Sequence, residues 1–119
     1  MSRCAVFAIV LAAMLASPLP ALAHARLKTA SPAADATVAS APADVALDFS
    51  EPIEPKFSAI EVEDAKGARV DKGDAAPDNA KHLVVGLKPL EAGTDTVTWR
   101  ATSTDTHKTS GSFSFSVTK

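Results

Sequence analysis

An all-β domain, an antiparallel β-sandwich or small barrel of about seven short strands behind a cleaved signal peptide, is what this chain predicts. Three observations lead there. Apolar and polar residues alternate in several short runs, turn-forming residues recur about every 8 to 12 positions, and no segment beyond residue 23 sustains a helical period.

Residues 1–23 read as a secretory signal. Arg3 supplies positive charge, Cys4 to Ala16 run apolar, Pro18 and Pro20 break the helix, and Ala21-Leu22-Ala23 places small residues where a signal peptidase needs them. The apolar run falls short of the roughly 20 residues that a spanning helix requires, and Cys4 stands at its start rather than after it at the cut, so neither an anchor nor a lipoprotein is expected. Export would deliver residues 24–119 to the periplasm as one small domain.

Cleavage changes the composition. Arg3 leaves, so 11 basic residues face 14 acidic ones, a formal charge of −3, and no Lys/Arg cluster offers a phosphate-binding patch. Nucleic acid is therefore not an expected partner. Met1, Cys4 and Met14 hold all the sulfur of the chain and leave with the signal. The mature domain can form no disulfide, and it lacks the thiolate and thioether ligands that select Cu(I). Any metal site must be built from imidazole, amine and carboxylate.

Arg26 to Asp44, rich in Ala, Ser, Thr and Pro, reads as an irregular or edge-pairing arm. Val45, Leu47 and Phe49 then share one face of a strand that Pro52 and Pro55 close, because proline cannot donate to a ladder. Phe57 to Glu63 repeats the alternation with Ile60 and Val62 inward, Asp64-Ala65-Lys66-Gly67 turns, and Ala68-Arg69-Val70 returns as a short strand. Lys72 to Lys81 is a loop by composition, and Leu83 to Leu87 suits a buried strand. Thr94 to Ala101 aligns Val97, Trp99 and Ala101 on one side. After a polar loop reaching Gly111, Phe113, Phe115 and Val117 make the last strand. A monomer is the expected state, although open sheet edges would permit association.

Two features carry candidate chemistry. His24 would begin the mature chain, and an N-terminal histidine is bidentate: its free α-amine and its imidazole Nδ1 close one chelate ring on a metal ion. Asp105 and His107, two residues apart between the last two strands, would point to the same side of an extended segment and converge on one ion. Together these groups form a nitrogen-rich set that suits tetragonal Cu(II), favoured by the Irving–Williams order, with zinc as the chemical competitor. Three other residues read as structure. His82 opens a strand with nothing at ligand spacing around it, Trp99 is core, and Ser103 with Asp105 and His107 lacks the nucleophile elbow of a hydrolase.

In order along the chain stand His24-Ala25, Ser31-Pro32-Ala33, Leu47-Asp48-Phe49-Ser50-Glu51, Gly93 to Arg100, Ser103-Thr104-Asp105-Thr106-His107, and Ser110 to Val117. In these segments the sequence resembles the periplasmic copper-binding proteins of the CopC type. The resemblance implies an immunoglobulin-like or cupredoxin-like Greek-key sandwich or barrel that holds Cu(II) through His24, Asp105 and His107. It also implies a nearby carboxylate at Glu51, and an inner-membrane CopD-like transporter or another periplasmic copper protein as partner. Three departures stand out. No methionine-rich Cu(I) segment is present, Asp95 replaces a common tyrosine and is expected to loosen strand packing, and Lys108 replaces a common proline and is expected to loosen the metal loop.

A copper carrier or buffer without catalytic activity, acting in copper homeostasis or resistance, is the leading expectation. A copper enzyme of the lytic polysaccharide monooxygenase type also uses an N-terminal histidine chelate, but one tryptophan and no tyrosine poorly equip this domain to face a polysaccharide. An immunoglobulin-like structural module with incidental histidines is the remaining alternative.

Overall fold

Alternating side chains need a second apolar face to bury against, and in this protein they find it in two packed sheets. The computed structural model describes residues 25–119, so the expected signal peptide and His24 lie outside the described residues. Eight strands follow in order: β1 (Leu27–Ser31), β2 (Thr37–Val38), β3 (Asp44–Phe49), β4 (Ala59–Glu63), β5 (Ala76–Asn79), β6 (His82–Gly86), β7 (Gly93–Thr102) and β8 (Lys108–Val117). One sheet runs β1-β3-β6-β5 and the other β2-β8-β7-β4. The chain crosses repeatedly between the two, giving the expected Greek-key sandwich, antiparallel except where two-residue β2 lies parallel to β8.

The core is the inward half of each alternation. Val45, Leu47, Phe49, Leu83 and Val85 face Ile60, Val62, Val97, Trp99, Phe115 and Val117 across the interior, all buried. Phe49 meets Trp99 edge to face, centroids 5.3 Å apart at 65°. The arm expected to be irregular or edge-pairing is the latter: β1 pairs with β3, and β2 with the end of β8.

Several boundaries differ from the sequence expectation. The strand expected from Phe57 starts at Ala59, because Pro55–Phe57 forms a 3-10 turn that leaves Phe57 65% exposed. Ser58 Oγ locks this turn by donating to Glu54 O (2.8 Å) and accepting from Thr102 N–H (3.1 Å). The expected Ala68–Val70 strand is a single bridge, Glu63 to Arg69. Within the expected 72–81 loop, Ala76–Asn79 pairs with β6 as an exposed edge strand, where Pro77 is tolerated. The polar loop expected to reach Gly111 stops at His107, and β8 starts at Lys108. The β7–β8 ladder runs from Gly93↔Val117 to Thr102↔Lys108 without a register shift, so neither Asp95 nor Lys108 interrupts the pairing.

Gly111 sits opposite Trp99 in that ladder, with the indole lying over it. A Cβ at this position would fall 2.8 Å from Trp99 Cζ2. The indole is held by Phe49, so it cannot yield without repacking. Gly111→Ala is expected to lower stability by about 1–3 kcal/mol in a urea titration; an unchanged midpoint would show that the indole moves freely.

Asp71 anchors the edge of the second sheet. Its carboxylate accepts from Val62 N–H (2.9 Å), Arg69 Nε (2.6 Å), Arg69 Nη2 (2.7 Å) and Gly73 N–H (3.0 Å). The Arg69 guanidinium overcomes the cost of burial and holds the Asp71 carboxyl well below the usual carboxylate range, at about 2. Because this value is depressed in the folded state, the stabilisation is full above the unfolded value and is lost as pH falls from about 4 through 2. Asp71→Asn should therefore cost roughly 2 kcal/mol at neutral pH, and the gap between variant and parent should close as urea titrations are carried down toward pH 2.

Candidate metal centre

The β7–β8 connection is a tight turn whose backbone bonds bring Asp105 and His107 together. Ser103 N–H donates to His107 O (2.9 Å) and Thr106 N–H to Ser103 O (2.8 Å), closing the turn on itself. Thr106 occupies the left-handed region at φ 74°. For a β-branched residue this costs on the order of 1–3 kcal/mol, a strain that persists only where the surroundings enforce it.

Within the turn the Asp105 carboxylate lies 3.3 Å from His107 Nδ1 through Oδ1, and the two side chains are 41% and 51% exposed. The same Oδ1 accepts from the hydroxyl of buried Ser103 and from His107 N–H at 3.4 Å. The Ser103 hydroxyl first, and His107 after it, hold the Asp105 carboxyl below its ordinary value. Asp105 thus offers an anionic carboxylate oxygen in a fixed orientation, next to an imidazole still open to solvent.

Two neighbouring segments frame this turn. Ala25 is fully buried, and its carbonyl accepts from Thr109 Oγ1 at 2.8 Å, two residues past His107. Arg26 N–H donates to Ser50 Oγ (2.9 Å), and Ser50 N–H returns to Arg26 O (2.8 Å). Glu51 follows Ser50, half-buried, in a segment that meets the turn through Thr104 N–H to Pro52 O (3.1 Å) and the Ile53 to Ser103 bridge.

Of the sequence-derived site residues, then, Asp105 and His107 are paired in one turn. Glu51 lies on an adjoining segment, and His24 lies outside the described residues. Among the described residues no three of His, Cys, Asp and Glu gather into a group able to hold a metal, so Glu51 does not complete a trio with Asp105 and His107. His82 pairs with Asp78, Nδ1 to Oδ2 at 3.1 Å, at the start of β6, in keeping with a strand-end role.

Sequence reasoning missed three supporting residues. Ser103 orients Asp105, Thr109 grips Ala25, and Ser50 grips Arg26. All three are hydroxyl residues in a chain full of them, and only their positions in space single them out.

The CopC domain model matches residues 27–118. Copper resistance protein C of Xanthomonas campestris pv. juglandis is 40% identical over 117 residues, covering 92% of this chain and 91% of that protein. The copper transport protein CutJ of Bacillus subtilis is 37% identical over 105 residues, which are 86% of this chain but only 19% of CutJ. In solved structures, PcoC, a methionine-rich copper resistance protein from Escherichia coli, superposes with a TM-score of 0.71 at 38% identity, covering 80% of this chain and 99% of that one. Sequence and fold therefore agree over nearly the whole described sandwich, and the chain belongs to the CopC family.

Proposed function

We propose that this protein is a periplasmic carrier or buffer that binds Cu(II) as cargo and has no catalytic role. Its ligands are the α-amine and imidazole of His24 at a processed N-terminus, the Asp105 carboxylate and the His107 imidazole, with the Glu51 carboxylate close by. One observation carries this reading. Asp105 and His107 are paired in a strained turn beside the anchored arm, where the Ala25 carbonyl is held by Thr109, and Ala25 is the residue bonded to His24.

The donor set favours Cu(II) over Cu(I). Nitrogen and carboxylate oxygen are borderline-to-hard ligands, and the chain has no methionine beyond Met14. The relative PcoC is by contrast named as methionine-rich. Copper resistance and copper transport in the names of the relatives support copper as the cargo. That a domain like this one forms about a fifth of a longer copper transport protein supports handover to an inner-membrane CopD-like transporter, with another periplasmic copper protein as the other candidate recipient.

A Cu(II) titration followed by EPR tests the ligand set. The chain beginning at His24 should bind with a nitrogen-rich tetragonal spectrum, whereas one extra residue before His24, or His107→Ala, should weaken binding at least about tenfold and change the spectrum. If neither change alters affinity or spectrum, the assignment is wrong.

The Ser103 hydroxyl touches Asp105 rather than the ion, and its loss should tell through orientation alone. Ser103→Ala is expected to lower Cu(II) affinity by about 10- to 100-fold while keeping the wild-type ligand count in the EPR spectrum.

A further inference from the structure

Asp95 poses a problem that copper binding does not solve. It stands on the inward face of β7, in line with Val97 and Trp99, and only 3% of it is exposed. Its Oδ2 is buried and has no hydrogen-bond partner. A carboxylate in that state has given up water and gained nothing in return, whereas a neutral carboxyl loses far less on burial. The metal turn has no part in these surroundings, since Asp95 lies seven residues along β7 from Thr102, about 24 Å at the rise of an antiparallel strand.

Three strands meet at this end of the sandwich. Asp95 is paired with Phe115 and Gly93 with Val117. On the other flank of β8, the two residues of β2 pair with Ser116 and Val117. Ser116 N–H donates to Ala36 O (2.9 Å) and Thr118 N–H to Val38 O (3.0 Å). β2 is the outermost strand and only two residues long, so its pairing is no firmer than the end of β8 on which it lies.

The charged groups around Asp95 come from two neighbouring segments. The β4–β7 register, continued one step beyond Glu63↔Thr96, brings Asp64 opposite Asp95. Lys66 and Glu91 line a cavity together with these two residues. Phe115 and the inward residues of the facing sheet, Val45, Leu47, Leu83 and Val85, carry no charge. Asp71, the other buried carboxylate, is paired with Arg69. The N–H groups of Ala68 first, and of Lys66 after it, hold the Asp64 carboxyl below its ordinary value, so Asp64 stays anionic. Burial first, and the charge of Asp64 after it, push the Asp95 carboxyl above its own. The neutral Asp95 carboxyl therefore stabilises this end fully below the unfolded value of about 4, and that contribution is lost as pH rises through the folded value. The dependence is opposite in sign to that of Asp71.

We propose that Asp95 is an acid-closed latch: with its carboxyl protonated this end of the sheet is shut, and with its carboxylate ionised residues 93–95, residues 115–117 and β2 open locally while the rest of the ladder stays paired. An opening confined to a few terminal rungs lets the carboxylate reach water without disturbing Trp99 or the metal turn. The latch is independent of copper.

NMR on the protein tests it with two readouts that need no variant. The Asp95 carboxyl carbon should titrate with a midpoint above about 4. With intrinsic exchange rates divided out, hydrogen-exchange protection of the Ser116 and Thr118 amides should fall at least about tenfold as pH rises through that midpoint. The Phe49 amide, which donates to Lys81 O in the other sheet, should keep its protection within about twofold over the same range. Asp95→Asn keeps the shape of the side chain and removes its charge, so protection of Ser116 and Thr118 should no longer change with pH. A midpoint at or below about 4, protection that stays level through the midpoint, an equal loss at Phe49, or protection that still falls with pH in Asp95→Asn would each overturn the latch.

Discussion

The β7–β8 ladder is the constraint on which the rest of this molecule depends. Its ten paired positions run without a bulge from Gly93 to Thr102 and from Lys108 to Val117. It contributes Val97, Trp99, Phe115 and Val117 to the core. Because the ladder is unbroken, the turn at one end is forced to be tight, and that forces Thr106 into the left-handed region. The strain at Thr106 is offset by the pairing on either side, and it is this turn that presents a carboxylate and an imidazole together.

The arm that leads to the candidate metal centre depends on hydroxyl groups rather than on apolar packing. Thr109 and Ser50 hold the arm by its backbone, through the Ala25 carbonyl and the Arg26 amide. Such contacts fix where a chain segment lies without demanding a particular side chain from it. Ser103 does the corresponding work for Asp105. A domain with no sulfur beyond Met14 cannot staple its ends with a disulfide. It ties down its arm with an edge strand and a few directed hydrogen bonds instead.

Much of this was legible in the sequence, for physical reasons that differ from element to element. Val45, Leu47 and Phe49, and again Val97, Trp99 and Ala101, advertise their strands because a half-buried strand must alternate. The Asp105-x-His107 pair was legible as a pair, but the extended segment expected to align the two is a tight turn, with Thr106 in the left-handed region bringing the side chains together instead. β5 was hidden, since Ala76–Asn79 is exposed throughout and carries a proline; its pairing comes from β6 and not from its own residues. The start of β8 was hidden for a related reason. Lys108 to Gly111 reads as polar loop, yet Trp99 needs a glycine opposite it, and only the partner strand reveals why Gly111 is there. Asp95 could be flagged as unusual, but its burial on the inward face of β7, with Oδ2 left without a partner, shows only in the fold.

Asp71 has a consequence beyond the stability of its own neighbourhood. β4 is the outermost strand of its sheet, and Val62, its fourth residue, turns its backbone groups away from β7. The Val62 amide donates to the Asp71 carboxylate, and the Val62 carbonyl accepts from Val70 N–H at 2.8 Å. At Val62 both groups that an approaching strand from another molecule would use are already taken, one by the Asp71 carboxylate and one by the Val70 amide. The buried carboxylate and the segment that carries it thus act as gatekeepers against edge-to-edge polymerisation over this end of β4, at no expense in apolar surface.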